Sequence, residues 1–440
     1  MPSVAIVTLG CPKNQVDSES LAADLSRRGY RLTGDTQRAD VIIVNTCGFI
    51  APAREESLGE LRELAAAKRP RQLLVAAGCL AELNPGLIQD SVPGVDGLLS
   101  TRRWHEAGAF LDQIRRRHDH PVWIGNSDAP FPNVRRTPVG VSAYVKISEG
   151  CSGPCAFCTI PRIKGPLRSR PLQDVVAEVT DLVDRGYLEV ILVAQDTTAY
   201  GRDRGEREGT VGLVEAILAA APRLRWLRLM YTYPQHISER LIELMASDER
   251  VCRYVDLPLQ HAHPEVLRRM RRPTDVDAVK RLLERLRSAM PDVAIRTAFI
   301  VGYPGESEAQ FEALLQFVRE MRLDHVGAFT YSPEPGTPAY ALTPAVPEAV
   351  KEERRGLLME AQQAISLAIH QSLVGREMEV LVEGLGDGVT VGRTYRDAPE
   401  VDGLALLRGE HPVGRILRAR VVEGLEYDLM MEAVEPNLTP

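Results

Sequence analysis

Three cysteines stand within eight residues of this chain, in the stretch CSGPCAFC at residues 151–158. Such a short loop can turn three sulfurs toward one face of an iron–sulfur cube, and it offers no fourth ligand. A 4Fe-4S cluster held by three cysteines keeps one iron open for a small molecule. Zinc is the competing metal, but structural zinc favours four ligands from paired arms, and no second arm follows here. The stretch therefore predicts a 4Fe-4S cluster held by Cys151, Cys155 and Cys158.

The spacing Cys-x3-Cys-x2-Cys, with the aromatic Phe157 before the last cysteine, resembles the signature of radical S-adenosylmethionine (SAM) enzymes. The resemblance implies that the open iron binds SAM. It also implies that one electron cleaves SAM to methionine and a 5′-deoxyadenosyl radical, which abstracts hydrogen from an unactivated carbon. In such enzymes the cluster and SAM supply the difficult chemistry, while the protein places and shelters them. Phe157 is accordingly a candidate for contact with SAM.

The composition is that of an ordinary soluble protein, and 440 residues suffice for two or three domains. No apolar run approaches about 18 residues and no basic segment opens the chain, so we expect no membrane span and a cytoplasmic location. Six of the seven cysteines fall in two groups of three, which favours metal ligation over disulfides. Cys252, the seventh, is predicted to be a buried apolar residue. The net charge of −7 argues against a broad nucleic-acid surface.

Short β-rich runs alternate with helical patterns over residues 1–120, which predicts a doubly wound parallel sheet. The predicted strands are residues 4–10, 41–46 and 72–77, and the predicted helices are residues 14–28 and 54–68. Cys11, Cys47 and Cys79 each follow one of these strands, so they meet at the carboxyl edge of the sheet, where open α/β folds bind ligands. Free cysteines are often small buried apolar residues, but the repeated position favours a second 4Fe-4S cluster with its own open iron.

The segment LGCPKN at residues 9–14, followed by VDSE at residues 16–19, resembles the opening of methylthiotransferases. These enzymes are a radical SAM branch that carries such a second cluster. The resemblance implies that the second cluster is associated with sulfur supply. It also implies two partners beyond the substrate, namely an electron donor and a sulfur source.

Prolines interrupt residues 121–139, which predicts a linker between two domains. Over residues 140–370, six β-rich runs alternate with helices and predict an incomplete (β/α) barrel, although periodicity alone does not distinguish it from another open sheet. The predicted strands are residues 144–148, 189–194, 226–231, 254–257, 294–300 and 325–330. In such barrels the chemistry lies on the loops after the strands, and the cysteine loop follows the first of them.

The loops after later strands are candidates to bind SAM. Gln195 and Asp196 follow the second strand, where groups that only satisfy the strand end are the alternative. Gly302 and Gly305 follow the fifth strand, where glycine lets the backbone approach an adenine or a ribose and a plain turn is the alternative. The basic run at residues 268–272 is interpreted as a solvated helix face, with contact to an acidic partner as the alternative.

After a long helical pattern at residues 348–373, β-rich runs separated by glycines predict a small antiparallel β-barrel over residues 371–440. It resembles the TRAM module that ends methylthiotransferases. This segment has 7 Arg, no Lys and 13 Asp and Glu, a net charge of −6. A module that holds tRNA needs the opposite sign, because phosphate neutralisation dominates such binding. An acidic module suits a basic protein partner.

Residues 396–403 (RDAPEVDG) resemble the tail of the methylthiotransferases that modify an aspartate of small-subunit ribosomal protein twelve. The resemblance implies that a methylthio group is inserted at the β-carbon of that aspartate, with one SAM supplying the methyl group and another the radical. The implied partner is this ribosomal protein, free or in the ribosomal subunit, with Asp397, Glu400 and Asp402 as candidate contacts. One alternative is the same chemistry on a tRNA adenosine. The other is a non-catalytic iron–sulfur electron carrier or scaffold.

Overall fold

The computed structural model describes residues 1–117, 119–127 and 134–434. Its first domain contains six strands: β1 Ser3–Thr8, β2 Arg31–Leu32, β3 Val41–Thr46, β4 Leu73–Gly78, β5 Gly97–Ser100 and β6 Val122–Trp123. Its helices are α1 Pro12–Arg27, α2 Ala51–Ala67, α3 Cys79–Leu83, α4 Pro85–Ser91 and α5 Ala107–Arg117. The strands form one parallel sheet in the order β2-β1-β3-β4-β5-β6. This confirms the predicted doubly wound parallel sheet.

Two apolar layers cover the faces of this sheet. Leu21 and Phe110 pack on one face, and Leu58 and Ile88 pack on the other. Every residue of β3 is buried, which explains its unbroken apolar sequence, since a parallel strand with both faces covered does not alternate. The strand order reverses between β1 and β3, so the loops after these two strands flank the crevice where such folds bind ligands.

The segment predicted as a linker, residues 121–139, begins inside the first domain. Val122 and Trp123 form the edge strand β6, paired with Leu98 and Leu99 of β5. Proline at position 121 is compatible with this, since it stands before an edge strand and interrupts no ladder. Residues 128–133 of the predicted linker, with two of its prolines, lie outside the described residues, as do residues 435–440 of the predicted C-terminal domain.

The second domain is the predicted incomplete barrel. Its strands are β7 Ser142–Lys146, β8 Ser148–Glu149, β9 Arg168–Ser169, β10 Glu189–Val193, β11 Trp226–Leu229, β12 Tyr254–Asp256, β13 Ala294–Val301 and β14 His325–Thr330. Its helices are α6 Ile160–Lys164, α7 Leu172–Asp184, α8 Gly209–Ala220, α9 Glu239–Ser247, α10 Pro264–Arg269, α11 Val276–Ala289 and α12 Glu308–Met321. Two parallel sheets, β11-β10-β7 and β12-β13-β14, are joined by a bridge between Leu227 and Val251. Among the described strands β7 and β14 do not pair, so the barrel is open between them.

A long helix, α13 Glu348–Ser372, leads into the C-terminal barrel. Its strands are β15 Glu377–Leu385, β16 Val389–Arg393, β17 Ala405–Arg408, β18 Ile416–Gly424 and β19 Leu429–Ala433. They close in the order β15-β16-β17-β19-β18, as the predicted small β-barrel requires. One detail differs, because β17 and β19 pair in parallel while the other neighbours are antiparallel. The short β19 was not predicted, since its sequence LMMEA consists of good helix formers.

Buried ion pairs attach the C-terminal barrel to the amino-terminal ends of the strands of the second domain. Glu189, the first residue of β10, accepts hydrogen bonds from Arg228 at 2.7 Å and from Arg393 of β16 at 2.6 Å. Burial alone raises the pKa of Glu189, but Arg393 and Arg228 lower it to about 2. The C-terminal barrel therefore sits at the end of the domain opposite the cysteine loop. None of the helices in the described ranges is long and apolar enough to cross a membrane.

Candidate functional site

The cysteine loop at residues 151–158 is held in place at its entry. The ribbon of β8 and β9 brackets it, and the Cys151 N–H donates to the Gly165 carbonyl at 3.0 Å. Gly150 has a φ of +71°, and a side chain there would place its Cβ 2.1 Å from the Pro166 carbonyl oxygen. Only glycine fits this turn. The loop thus enters the site in one fixed direction, at the carboxyl end of β7.

The three thiols of this loop converge. The Gly153 N–H donates to Cys151 Sγ at 3.3 Å, and a Cβ at Gly153 would lie 3.2 Å from that sulfur and 4.0 Å from Cys155 Sγ. Burial raises the pKa of Cys158 to about 12, with smaller contributions from Cys155 and Cys151. Such a thiol becomes a thiolate ligand only beside a metal cation. Three thiols around a glycine turn fit a 4Fe-4S cluster that leaves one iron open.

A cube binds each of its protein sulfurs through a different iron, so its ligands need not close around a single point. Within the described ranges, no group of three or more His, Cys, Asp or Glu side chains is arranged to hold one metal ion. The geometry of the two triads is compatible with a cluster in this respect.

Arg272 is a site residue that the sequence did not reveal. Its Nη1 lies 3.8 Å from Cys155 Sγ, and its guanidinium lies 4.3 Å from the centroid of the Tyr233 ring. The basic run at residues 268–272 was interpreted as a solvated helix face. The helix ends at Arg269, however, and the chain then turns Arg272 inward. A run of like charges contains no signal for where the helix beneath it stops.

Asp196 lies beside the cysteine loop, where its charge adds to the burial that raises the pKa of Cys151. Both of its oxygens have partners within the chain. Oδ1 accepts from the Ala199 N–H at 3.1 Å, and Oδ2 pairs with His236 Nδ1 at 2.9 Å. Gln195 is half-buried, and its side-chain amide forms no hydrogen bond with any residue that the structure describes. Of these two predicted SAM contacts, Gln195 has polar atoms free to bind a ligand, whereas both oxygens of Asp196 are already bonded within the chain.

Gly302 and Gly305 follow β13, with φ values of +70° and +75°. A Cβ at Gly302 would lie 2.3 Å from Lys351 Cγ, and one at Gly305 would lie 2.4 Å from Arg269 Nη1. Both glycines therefore allow close packing of this loop, and their contact with SAM stays a prediction. Phe157 is half-buried and packs against an apolar cluster of the same region.

The second group of cysteines comes together at the edge of the first sheet. A Cβ at Gly10 would lie 3.0 Å from Cys47 Sγ, so the loops after β1 and β3 touch. Burial raises the pKa of Cys79 to about 12; the nearby Lys164 lowers it, and Cys47 and Cys11 raise it further. This donor set again consists of three thiols, which fits a second cluster of the same type.

The two cysteine groups face each other across one domain interface. Thr159, next to Cys158, donates from its hydroxyl to the carbonyl of Phe49 at 3.4 Å, and Phe49 lies two residues beyond Cys47. Lys164 Nζ donates to Asp17 Oδ2 at 2.9 Å, and this ion pair ties α6 to α1. The first domain is thereby docked on the carboxyl ends of the barrel strands.

Lys13 is a second residue whose position the sequence did not reveal, although it belongs to the LGCPKN segment. Its Nζ lies 3.3 Å from the centroid of the Tyr231 ring, at the carboxyl end of β11. Burial lowers the pKa of Lys13, while Cys11 and Asp256 act in the opposite direction. The first domain thus places a lysine inside the mouth of the barrel.

Gly78, directly before Cys79, has a φ of +97°, and a Cβ there would lie 2.4 Å from Asn45 Oδ1. We expect Gly78→Ala to destabilise the protein by about 2 kcal/mol or more, because both the backbone conformation and the clash oppose a side chain. Displacement of Cys79 should also lower the iron content. Urea unfolding and iron analysis measure both effects. Gly212→Ala, in open space on α8, is the control and should be neutral or stabilising by up to about 1 kcal/mol. Equal stability of the two variants would contradict the prediction.

The structure separates the three acidic residues predicted to contact a partner. Asp402 Oδ2 accepts from the Tyr254 hydroxyl at 2.6 Å, and only 2% of its side chain is exposed. Asp397 is buried, accepts from the Thr394 hydroxyl at 2.8 Å, and has its pKa raised by burial. This corrects the prediction for Asp397 and Asp402, whose carboxylates are buried within the molecule instead of facing a partner. Glu400 is exposed.

Three stretches of the chain match described families. Residues 3–100 match an uncharacterized protein family, UPF0004. Residues 145–318 match the radical SAM superfamily, and residues 374–434 match the TRAM domain. The three matches fall in the three structural domains in chain order.

Two curated proteins are similar over nearly the full chain, and both are called ribosomal protein uS12 methylthiotransferase RimO. The protein of Roseiflexus sp. (strain RS-1) is 48% identical over 457 residues, covering 98% of this chain and 97% of the relative. That of Chloroflexus aurantiacus is 48% identical over 452 residues, covering 98% and 99%.

Among solved structures, the chain is similar to the radical SAM methyltransferase TsrM from Kitasatospora setae, with cobalamin and a 4Fe-4S cluster bound. The TM-score is 0.58 at 17% identity, with 77% of each chain covered. At this identity the similarity concerns the fold alone.

Proposed function

The chain belongs to the RimO family of ribosomal protein uS12 methylthiotransferases, which are radical SAM enzymes, and we propose that it adds a methylthio group to the β-carbon of an aspartate of uS12. The observation that carries this proposal is the pair of three-cysteine groups facing one interface. An electron donor and a sulfur source complete the reaction, which we place in the cytoplasm.

In this proposal Cys151, Cys155 and Cys158 hold a 4Fe-4S cluster with an open iron. Cys11, Cys47 and Cys79 hold a second 4Fe-4S cluster, at the place of sulfur supply. With SAM and one electron, the first cluster provides a radical able to remove hydrogen from an unactivated carbon. Because the two groups lie on different domains, we propose radical generation and sulfur supply for different parts of the chain.

The chain's own side chains position and shield these groups. Arg272 brings a guanidinium to within 3.8 Å of Cys155 Sγ, so a positive charge lies beside the proposed cluster. Tyr233 lies against that guanidinium. Gln195 offers an amide to SAM, while Asp196 fixes its own loop through His236. Two further contacts complete the proposed surroundings of SAM. Phe157 provides an apolar wall, and the backbone at Gly302 and Gly305 provides the other side.

The charge of the C-terminal barrel favours a basic protein over tRNA. Its exposed acidic residues that form no ion pair within the described residues are Asp387, Glu400, Glu410, Glu423 and Glu426. Such a surface repels phosphates and attracts cationic side chains. Ribosomal proteins are typically basic, so this sign agrees with uS12 as the partner.

Neutralising Glu400 should weaken the binding of uS12, since Glu400 is the exposed acidic residue of the RDAPEVDG segment. We expect Glu400→Gln to raise the dissociation constant several-fold at low salt and less at about 0.5 M salt, because exposed charges are screened. Titration of labelled uS12 at two salt concentrations measures this. Glu284→Gln, exposed on the outer helix α11, is the matched control and should change nothing. An unchanged constant for Glu400→Gln at low salt would remove Glu400 from the binding surface.

The proposed reaction itself is tested with purified components. Reduced enzyme, SAM, sulfide and recombinant uS12 should yield uS12 heavier by one methylthio group in place of one hydrogen, located on an aspartate by peptide fragmentation. Parallel incubation with unmodified tRNA should yield no methylthiolated adenosine. Modified tRNA together with unmodified uS12 would overturn the proposal.

A further inference from the structure

Lys13 is a buried cation without an anion of its own. The residue is 7% exposed, and its Nζ lies 3.3 Å from the centroid of the Tyr231 ring. This ammonium forms no hydrogen bond or salt bridge with any residue in the described part of the chain. Buried charges are normally paired. The mouth of the barrel therefore contains an ammonium group that lacks a counter-ion in the protein alone.

One carboxylate that acts on Lys13, that of Asp256, is already occupied. Its Oδ1 accepts from Arg296 Nη1 at 3.0 Å, and its Oδ2 accepts from the backbone N–H of Tyr231 at 2.9 Å. Asp256 therefore interacts with Lys13 only through space. Lys13 therefore has no carboxylate bonded to it among the described residues, although the thiols of Cys11 and Cys79 also act on it through space.

Tyr231 is held under the ammonium group in a strained conformation. Its φ is +61°, which is uncommon for a residue with a large side chain. Its N–H bond to Asp256 and a bond from the Thr197 N–H to its carbonyl, 3.0 Å long, fix the backbone there. Such strain persists where the surroundings enforce it, and it is concentrated at ligand sites. The aromatic face beneath Lys13 is thus a built part of the site.

The position of Lys13 relates it to both cysteine groups. It lies two residues beyond Cys11 in the chain, and its Tyr231 contact lies at the carboxyl ends of the barrel strands, where the cysteine loop also lies. An anion bound by Lys13 therefore stands next to the sulfur-supplying group and inside the domain that generates the radical.

We propose that Lys13 binds the side-chain carboxylate of the substrate aspartate, an inference that rests on the proposed function. The carboxylate is bonded to the β-carbon that receives the methylthio group, so holding the carboxylate also fixes the carbon that reacts. A carboxylate compensates the buried ammonium group. The neutral amide of asparagine has the same shape and does not compensate it, so Lys13 also selects aspartate over asparagine.

The test is a cycle with two substrates and three enzymes. The substrates are uS12 and uS12 with asparagine in place of the target aspartate. The enzymes are the reconstituted wild type, Lys13→Met and Lys280→Met, which removes a partly exposed lysine paired with Glu320. We expect the wild type and Lys280→Met to bind the aspartate form about 10- to 100-fold more tightly than the asparagine form. For Lys13→Met this ratio should fall to about one.

Three outcomes would overturn the inference. Equal binding of both substrates by the wild-type enzyme would refute the inference. A Lys13→Met enzyme that keeps the full preference for the aspartate form would refute it as well. Lys13→Arg retains the charge and should keep a preference for aspartate; loss of preference in a folded, iron-loaded Lys13→Arg enzyme would assign Lys13 a purely structural role. The proposed function fails separately, and this inference with it, if the wild type neither binds nor modifies uS12.

Discussion

Replacing Cys151, Cys155 and Cys158 together with alanine should leave about half of the iron and abolish reductive cleavage of SAM. The iron that is left belongs to the N-terminal group, because that group is built only from the loops after β1, β3 and β4. SAM cleavage should be lost because the open iron proposed to bind SAM would be gone. Iron analysis and chromatographic detection of 5′-deoxyadenosine measure the two effects.

Cys252→Ala is the matched control for this variant. Cys252 is buried within the barrel and belongs to neither group, so its removal should leave both the iron content and SAM cleavage near their wild-type values. Complete loss of iron from a folded triple variant would contradict two independent sites. In that case the contact between Thr159 and Phe49 would be the place to look for their coupling.

Replacing Cys11, Cys47 and Cys79 together with alanine should stop methylthiolation but leave reductive cleavage of SAM. SAM cleavage should continue, because the cysteine loop keeps its own anchors: the ribbon of β8 and β9 and the bond from the Cys151 N–H to Gly165. Methylthiolation of uS12 should fall below detection, since the place of sulfur supply is lost. Parallel assays of 5′-deoxyadenosine and of uS12 mass measure the two activities.

The informative quantity for this second variant is the ratio of the two activities. A folded variant that loses SAM cleavage and methylthiolation in equal proportion would refute the assignment of sulfur supply to the first domain. A variant that still methylthiolates uS12 would refute it as well. Urea unfolding distinguishes either outcome from loss of the fold.

The long elements of this chain could be predicted from sequence, because their patterns are complete. All six predicted barrel strands and the helix α13 lie within a few residues of their predicted bounds. The strands that were missed, β2, β5, β6, β9 and β19, are short, and the first four have two to four residues each. A segment of that length completes no periodic pattern. Its pairing is decided by neighbours that are distant in the sequence.

The candidate site was predictable where the chemistry is local and not where it depends on packing. Three cysteines in eight residues indicate a cluster without any structure. The opposite holds for Lys13 and Arg272, whose roles depend on Tyr231 and Tyr233 from other loops. Asp402 was predicted to be a contact residue from its charge, but the fold buries its carboxylate, and the sequence does not show this burial.

The barrel is covered at both ends, which has a consequence for the shape of what it can modify. The first domain lies over the carboxyl ends of the strands, and the C-terminal barrel is fastened to the amino ends through Glu189. The gap between β7 and β14 is left, and Phe329 of β14 is 51% exposed. We expect a target residue to approach from this side, because both ends of the barrel are covered. Such an approach should favour a loop that protrudes from its protein over a residue on a flat surface.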